Sequence, residues 1–126
     1  MAYILLVEDN QDHAELVMRT LRAAGYEVKH TAYGLESAAM SQQQRPDLVL
    51  MDFDLPDIDG RNMILLIRKR LGEKNAPPIV AVTGRNSEAD MRISKRLGCA
   101  AFVSKPFLPD ELLELVRQLL KTGGEA

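Results

Sequence analysis

The residues Leu48-Val49-Leu50-Met51 form an unbroken apolar run that ends on a carboxylate, Asp52. A strand with one face in water alternates apolar and polar side chains, whereas a run without alternation fits a parallel strand covered on both faces. Such a strand needs helices packed above and below it, which confines the chain to the α/β layer architectures. It also carries Asp52 to the carboxyl end of the most apolar strand in the sequence.

The remaining segments supply those layers. Short β-rich runs alternate five times with segments of helical period, the pattern of parallel strands joined by crossover helices in one doubly wound sheet. Strands are expected at Tyr3 to Val7, Tyr26 to Thr31, Leu48 to Met51, Ile79 to Val82 and Ala100 to Val103. The second is the more polar, as suits a sheet edge. Asn10 can cap a first helix whose apolar positions Ala14, Val17, Met18, Leu21 and Ala24 repeat at three-and-four spacing, with Gly25 as its stop. A second helix is expected from Leu35 to Gln44, ended by Pro46. Met63, Ile64, Ile67 and Leu71 give the third its stripe, with Gly72 as stop. Ser87 and Asp90 resemble a capping box that opens a polar fourth helix reaching about Leu97. Pro109, Asp110 and Glu111 suit the start of a last helix, striped by Leu112, Leu113, Val116, Leu119 and Leu120.

A chain of 126 residues, 46% of them hydrophobic, holds one core and is too short for two. The expected division is one domain over residues 1–122 and a loose tail, Gly123-Gly124-Glu125-Ala126, with no linker to a second domain. Lys and Arg number 16 against 18 Asp and Glu, so no general basic field draws the chain to nucleic acid. The single cysteine, Cys99, cannot form an internal disulfide and has no metal-ligating partners at suitable spacing. Ile4-Leu5-Leu6-Val7 is closed by Glu8 and has no basic leader, so it reads as a strand and not as a signal peptide or membrane span. Cytoplasmic location, no direct nucleic-acid contact and no membrane insertion are the resulting expectations.

In an open parallel sheet, ligands bind beyond the carboxyl ends of the strands. Glu8 and Asp9 end the first strand, Asp52 the third and Thr83 the fourth, and Lys105 follows the fifth. Each residue alone has an ordinary reading: Glu8 and Asp9 as helix caps, Thr83 as a turn residue, Lys105 as a solvated charge. Their joint arrival on one rim is the signal. Carboxylates crowded in a partly desolvated site must take up protons or hold a cation. A donor set of oxygens without His or Cys points to a hard ion such as Mg²⁺, with Mn²⁺ as an alternative.

Five short motifs, in order, carry a family resemblance across essentially the whole chain. They are Leu5-Leu6-Val7-Glu8-Asp9-Asn10, then Met51-Asp52-Phe53-Asp54-Leu55-Pro56 with Asp59-Gly60, then Val82-Thr83-Gly84, and Lys105-Pro106-Phe107. The sequence resembles the receiver domain of response regulators in two-component signalling. The resemblance implies a flavodoxin-like five-stranded sheet in the order 2-1-3-4-5 with helices on both faces. It implies that Asp52 accepts a phosphoryl group from a phosphohistidine of a histidine kinase or a histidine phosphotransfer protein. Asp9, Asp52 and the backbone carbonyl of Asp54 would bind Mg²⁺ directly, with Glu8 acting mainly through water. Lys105 and Thr83 would contact the phosphoryl group, and Phe102 would turn as Thr83 moves. Tyr is common at that aromatic position, so a Phe would have to signal by packing alone. Lys105-Pro106 resembles the family's cis peptide bond.

The resemblance further implies a single-domain switch and not an enzyme turning over external substrates, with output through an unknown downstream protein and a phosphorylation-linked homodimer left open. Asp54 and Arg85 stand two residues beyond Asp52 and Thr83, and their opposite charges suggest a pair across the mouth of the site that modulates phosphoryl lifetime; two solvated side chains are the plain alternative. A haloacid-dehalogenase-like phosphatase shares the spacing of Asp52 and Asp54, but there the metal-binding acids follow the nucleophile, whereas Glu8 and Asp9 precede it. A partner-binding pseudo-receiver is the other alternative. His13 reads as a surface residue and His30 as a structural one on the edge strand.

Overall fold

A computed structural model describes residues 2–124. Five strands, β1 (Tyr3–Val7), β2 (Glu27–Thr31), β3 (Leu48–Met51), β4 (Ile79–Thr83) and β5 (Ala101–Ser104), alternate with five helices, α1 (Gln11–Ala23), α2 (Gly34–Gln43), α3 (Gly60–Leu71), α4 (Glu88–Arg96) and α5 (Pro109–Gly124). All strand pairings are parallel and the order is β2-β1-β3-β4-β5, as expected. The order reverses between β1 and β3, the point at which a sheet of this kind places its ligand site beyond the carboxyl ends.

The period-two geometry of a strand explains why β3 had to be apolar throughout. Val49 and Met51 point to one face and join Met63, Ile64 and Ile67 of α3 and Ala38 of α2. Leu48 and Leu50 point to the other and join Ala14, Val17 and Leu21 of α1 with Leu112 and Val116 of α5. Every residue of β3 is thus in a core, and its four side chains are at most 1% exposed. Each contributes about 1.5–3 kcal/mol of burial free energy.

The caps are those the sequence indicates. The Asn10 side chain accepts the His13 amide at 3.0 Å, and Ser87 and Asp90 form a reciprocal capping box. Gly25 and Gly72 adopt positive φ, 96° and 78°, where a side chain would strain the backbone. Several boundaries differ from expectation, among them β2, which starts at Glu27 rather than Tyr26, and β4, which reaches Thr83 rather than Val82. The backbone of β5 runs one residue later than expected because its register pairs Val80 with Ala101 and Thr83 with Ser104. Helix α2 starts at Gly34 rather than Leu35. Helix α5 continues through Gly123 and Gly124, with Lys121 in its last turn opposing the helix dipole. The end of the expected tail, residues 125 and 126, lies outside the described residues.

One close approach ties the fold to the rim. A Cβ on Gly60, the first residue of α3, would fall on the carbonyl oxygen of Asp52, and the Gly60 amide donates to the Phe53 carbonyl at 2.8 Å. Helix α3 can therefore seat against the end of β3 only with glycine at this position. Gly60→Ala is expected to cost about 2–3 kcal/mol, the scale of overpacking against immovable backbone, read as a lowered urea midpoint.

Candidate functional site

The strand ends bring Glu8, Asp9 and Asp52 together, with one carboxylate oxygen from each lying within 4.8 Å of the others. Glu8 and Asp52 are buried and Asp9 is exposed. The backbone fixes this cluster directly: the Asp52 amide donates to the Val7 carbonyl at 3.1 Å, so the ends of β1 and β3 are held side by side. Lys105 reaches the same point from beyond β5. Its Nζ donates to Asp52 Oδ2 at 2.9 Å and to Glu8 Oε1. The Lys105-Pro106 peptide is cis, and the Lys105 amide donates to the Thr83 carbonyl at 2.9 Å.

Every remaining oxygen of the buried acids has a partner. Asp52 Oδ1 accepts the Asp54 amide at 3.1 Å, and Glu8 Oε2 accepts the Asn10 amide at 3.1 Å. The Asp52 carboxylate is thus held at both oxygens, by a cation on one side and a backbone amide on the other. Burial pushes the Glu8 carboxyl up to about 7, with the Asp52 charge adding to the rise and the Lys105 and Asn10 hydrogen bonds opposing it. Burial works to lower the Lys105 pKa, but the hydrogen bonds to Glu8 and Asp52 outweigh it and hold the ammonium above its ordinary value. Two carboxylates and one ammonium in a desolvated corner remain short of positive charge.

Thr83 is fully buried, and its hydroxyl accepts the Arg85 amide at 3.2 Å. Arg85 turns outward, and its Nε donates to Asp54 Oδ1 at 2.6 Å, so the pair expected across the mouth is formed. Both of its members are about half exposed, a setting in which ion pairs contribute little stability. Phe102 packs edge-on against Phe53, the residue after Asp52, with ring centroids 6.2 Å apart and planes at 68°. It lies between two surface grooves, one of about 370 Å³ formed with Met91, Lys95 and Cys99, the other of about 340 Å³ formed with Pro106, Phe107 and Leu112.

The structure adds residues to this rim that sequence reasoning assigned elsewhere. The His13 side chain is 44% exposed, as a surface residue is, but its Nδ1 is turned inward, 3.9 Å from Glu8 Oε1. The signal was present: α1 begins directly after the acid pair, so its first turn must lean over Glu8. His30 Nε2 donates to the Glu8 backbone carbonyl at 2.7 Å, a structural role that steadies the end of β1. Arg61 pairs with Asp59 at 2.6 Å, lies 3.9 Å from Asp90 and stacks 5.8 Å from the Phe53 ring centre, joining α3, α4 and the loop after β3. Only the folded chain brings these groups together.

A model of the response regulator receiver domain family matches residues 4–117. The chain belongs to that family. It is 32% identical over 117 residues to the polar-differentiation response regulator DivK of Brucella anthropi, covering 93% of this chain and 94% of that one. Among solved structures, a CheY-like receiver domain from Methanospirillum hungatei superposes with a TM-score of 0.91 at 28% identity, covering 99% of this chain and 98% of that one. The Mn²⁺-bound form of response regulator Rcp1 superposes with a TM-score of 0.78 at 29% identity, covering 94% and 91%. As a receiver domain, the chain is a component of two-component signalling. Among the described residues, no helix is long and apolar enough to cross a membrane.

The raised Glu8 pKa fixes the sign of a pH effect. Its protonated form is favoured in the fold, so its stabilising contribution is fully present below the unfolded value of 4.5 and is lost as pH rises through about 7. Asp57, Asp59 and Asp90, whose pKa values are lowered, titrate below this window. In chelator, the unfolding free energy from urea titration is expected to fall between pH 5 and pH 8, by on the order of 3 kcal/mol, and Glu8→Gln is expected to flatten that slope.

Proposed function

We propose that Asp52 accepts a phosphoryl group from a phosphohistidine of a histidine kinase or a histidine phosphotransfer protein. The observation that carries this reading is the Asp52 carboxylate itself: buried at a strand end, beside two further acids and hydrogen-bonded by Lys105. The P–N bond of the phosphohistidine breaks as a P–O bond to Asp52 forms, and the leaving imidazole nitrogen keeps the electron pair. Such a transfer asks mainly for alignment and for neutral balance on the transferring oxygens. The hydrogen bonds from Lys105 and the Asp54 amide hold the acceptor's plane before its partner arrives.

The donor set fits a hard divalent ion, since three carboxylate oxygens converge with no nitrogen or sulfur among them. Asp9, Asp52 and the Asp54 backbone carbonyl would hold Mg²⁺, or Mn²⁺ in its place, with Glu8 acting through water; bound there, the ion supplies charge neutralisation for the phosphoryl oxygens. The Mn²⁺-bound form of the related Rcp1 supports this reading. Lys105 supplies the second positive charge. Thr83 supplies a hydroxyl that must leave the Arg85 amide to reach a phosphoryl oxygen. As it moves, Phe102 turns between its two flanking grooves, converting a charge at Asp52 into a change of surface. That surface is read by a downstream protein, or by a second copy of the chain, in the cytoplasm. Asp54 and Arg85 set the lifetime of the acyl phosphate through their pairing at the mouth.

Mass spectrometry after incubation with acetyl phosphate and Mg²⁺ tests the proposal. One phosphate-sized adduct is expected, absent in Asp52→Asn and in chelator, and formed more slowly in Lys105→Met by on the order of a hundredfold, the cost of losing one preorganised charge. Adduct decay is expected to change in Asp54→Asn and Arg85→Ala. Multiple turnover of unrelated phosphoesters would favour a phosphatase, and no adduct at all would favour a pseudo-receiver.

A further inference from the structure

The loop that follows Asp52 is anchored at a second point, away from the acidic cluster. Helix α2 has no side-chain cap of its own, because Tyr33 at the cap position makes no such bond. Asp57 of the β3–α3 loop supplies the cap from outside: its Oδ1 accepts the Gly34 amide at 2.8 Å and its Oδ2 accepts the Leu35 amide at 3.0 Å. Two oxygens on two successive amides fix direction as well as distance.

The attachment is tight on both sides of that bond. A Cβ at Gly34 would lie 2.5 Å from Ile58 Cγ2, 2.7 Å from Met63 Cγ and 3.2 Å from Leu55 Cδ1. Side chains flanking Asp57 therefore rest on the bare backbone of α2. Burial acts to raise the Asp57 pKa, but the amides of Leu35 and Gly34 outweigh it and keep the carboxyl below its ordinary value, so the clamp stays ionised near neutrality.

Only Phe53, Asp54, Leu55 and Pro56 separate Asp52 from Asp57, and the span is held at each end. The Asp54 amide donates to Asp52 Oδ1 at 3.1 Å, and the Phe53 carbonyl accepts the Gly60 amide at 2.8 Å. Only Leu55 and Pro56 lie between Asp54 and the clamp to take up a movement at Asp57. We propose that Asp57 is a positioning residue for the acceptor site: by clamping the β3–α3 loop to the first turn of α2, it holds the Asp54 backbone and the Asp52 carboxylate in the arrangement that takes a divalent ion. The inference rests on the metal-assisted reading given above. Coupling of this kind is reciprocal, so an ion ordering the loop also protects the amides of Gly34 and Leu35.

Amide exchange by NMR on the full chain, with a parallel Mg²⁺ titration, tests it in wild type, Asp57→Ala and Asp57→Asn. Asp47→Ala is the control for lost stability, since Asp47 also accepts a backbone amide, that of Tyr3 at 2.8 Å, but at the amino end of β3. Asp57→Ala is expected to speed exchange at Gly34, Leu35, Asp54 and Gly60 together and to weaken Mg²⁺ binding about fivefold, the low end of coupling between linked sites. Asp57→Asn, which keeps one of the two acceptor oxygens and sets an NH2 donor against the other amide, should recover only part of both. Asp47→Ala should lower the urea midpoint without changing Mg²⁺ affinity. Faster exchange confined to Gly34 and Leu35, or equal effects from Asp47→Ala, would overturn the proposal. If wild type takes up no Mg²⁺, the metal reading fails separately, and exchange at Asp54 and Gly60 still decides whether Asp57 positions the loop.

Discussion

One ammonium shared between two buried carboxylates is the interaction on which the rest of this structure depends. Lys105 stands between Glu8 and Asp52, and all three side chains are largely removed from water. Leaving any one of these charges alone there would be costly, because desolvation is repaid only by a close partner. The sheet brings them together from three strand ends, and the neighbouring backbone makes the arrangement rigid through the amides of Asn10 and Asp54. One lysine does not fully compensate the acids around it. Burial, with the Asp52 charge adding to it, raises the Glu8 pKa, and three carboxylate oxygens converging there suit the pocket to a further cation.

The fold supports this corner by packing as well as by those bonds. Alternate residues of β3 enter separate cores, so Asp52 follows a strand that cannot shift without disturbing both. Gly60 then lets α3 close against the Asp52 carbonyl, and Phe53 packs beneath the Arg61 guanidinium and beside Phe102. A local change at Asp52 therefore meets stiff surroundings on the β3 side. The more exposed pair of Asp54 and Arg85, and the grooves around Phe102, are where such a change has room to appear.

Much of this was legible in the sequence because the decisive residues lie at ends of strongly patterned segments. Leu48 to Met51 announces a doubly covered strand, and the residues after each strand must meet at one edge of a parallel sheet. What could not be read depends on contacts between segments that have no common period. Asp57 looks like a turn residue until α2 is seen to begin against it, and the inward turn of the His13 Nδ1 toward Glu8 shows only once α1 is in place. The later frame of β5 follows from its pairing with β4, a property of two strands together and not of either alone.

The central claim is that the acidic corner is built to receive a cation, and urea denaturation with and without Mg²⁺ tests it most directly. The account predicts that Mg²⁺ raises the midpoint of the wild-type chain, because only the folded state brings Glu8, Asp9 and Asp52 together, and raises that of Asp52→Asn much less. A wild-type midpoint that does not move with Mg²⁺, or moves equally in Asp52→Asn, would contradict it.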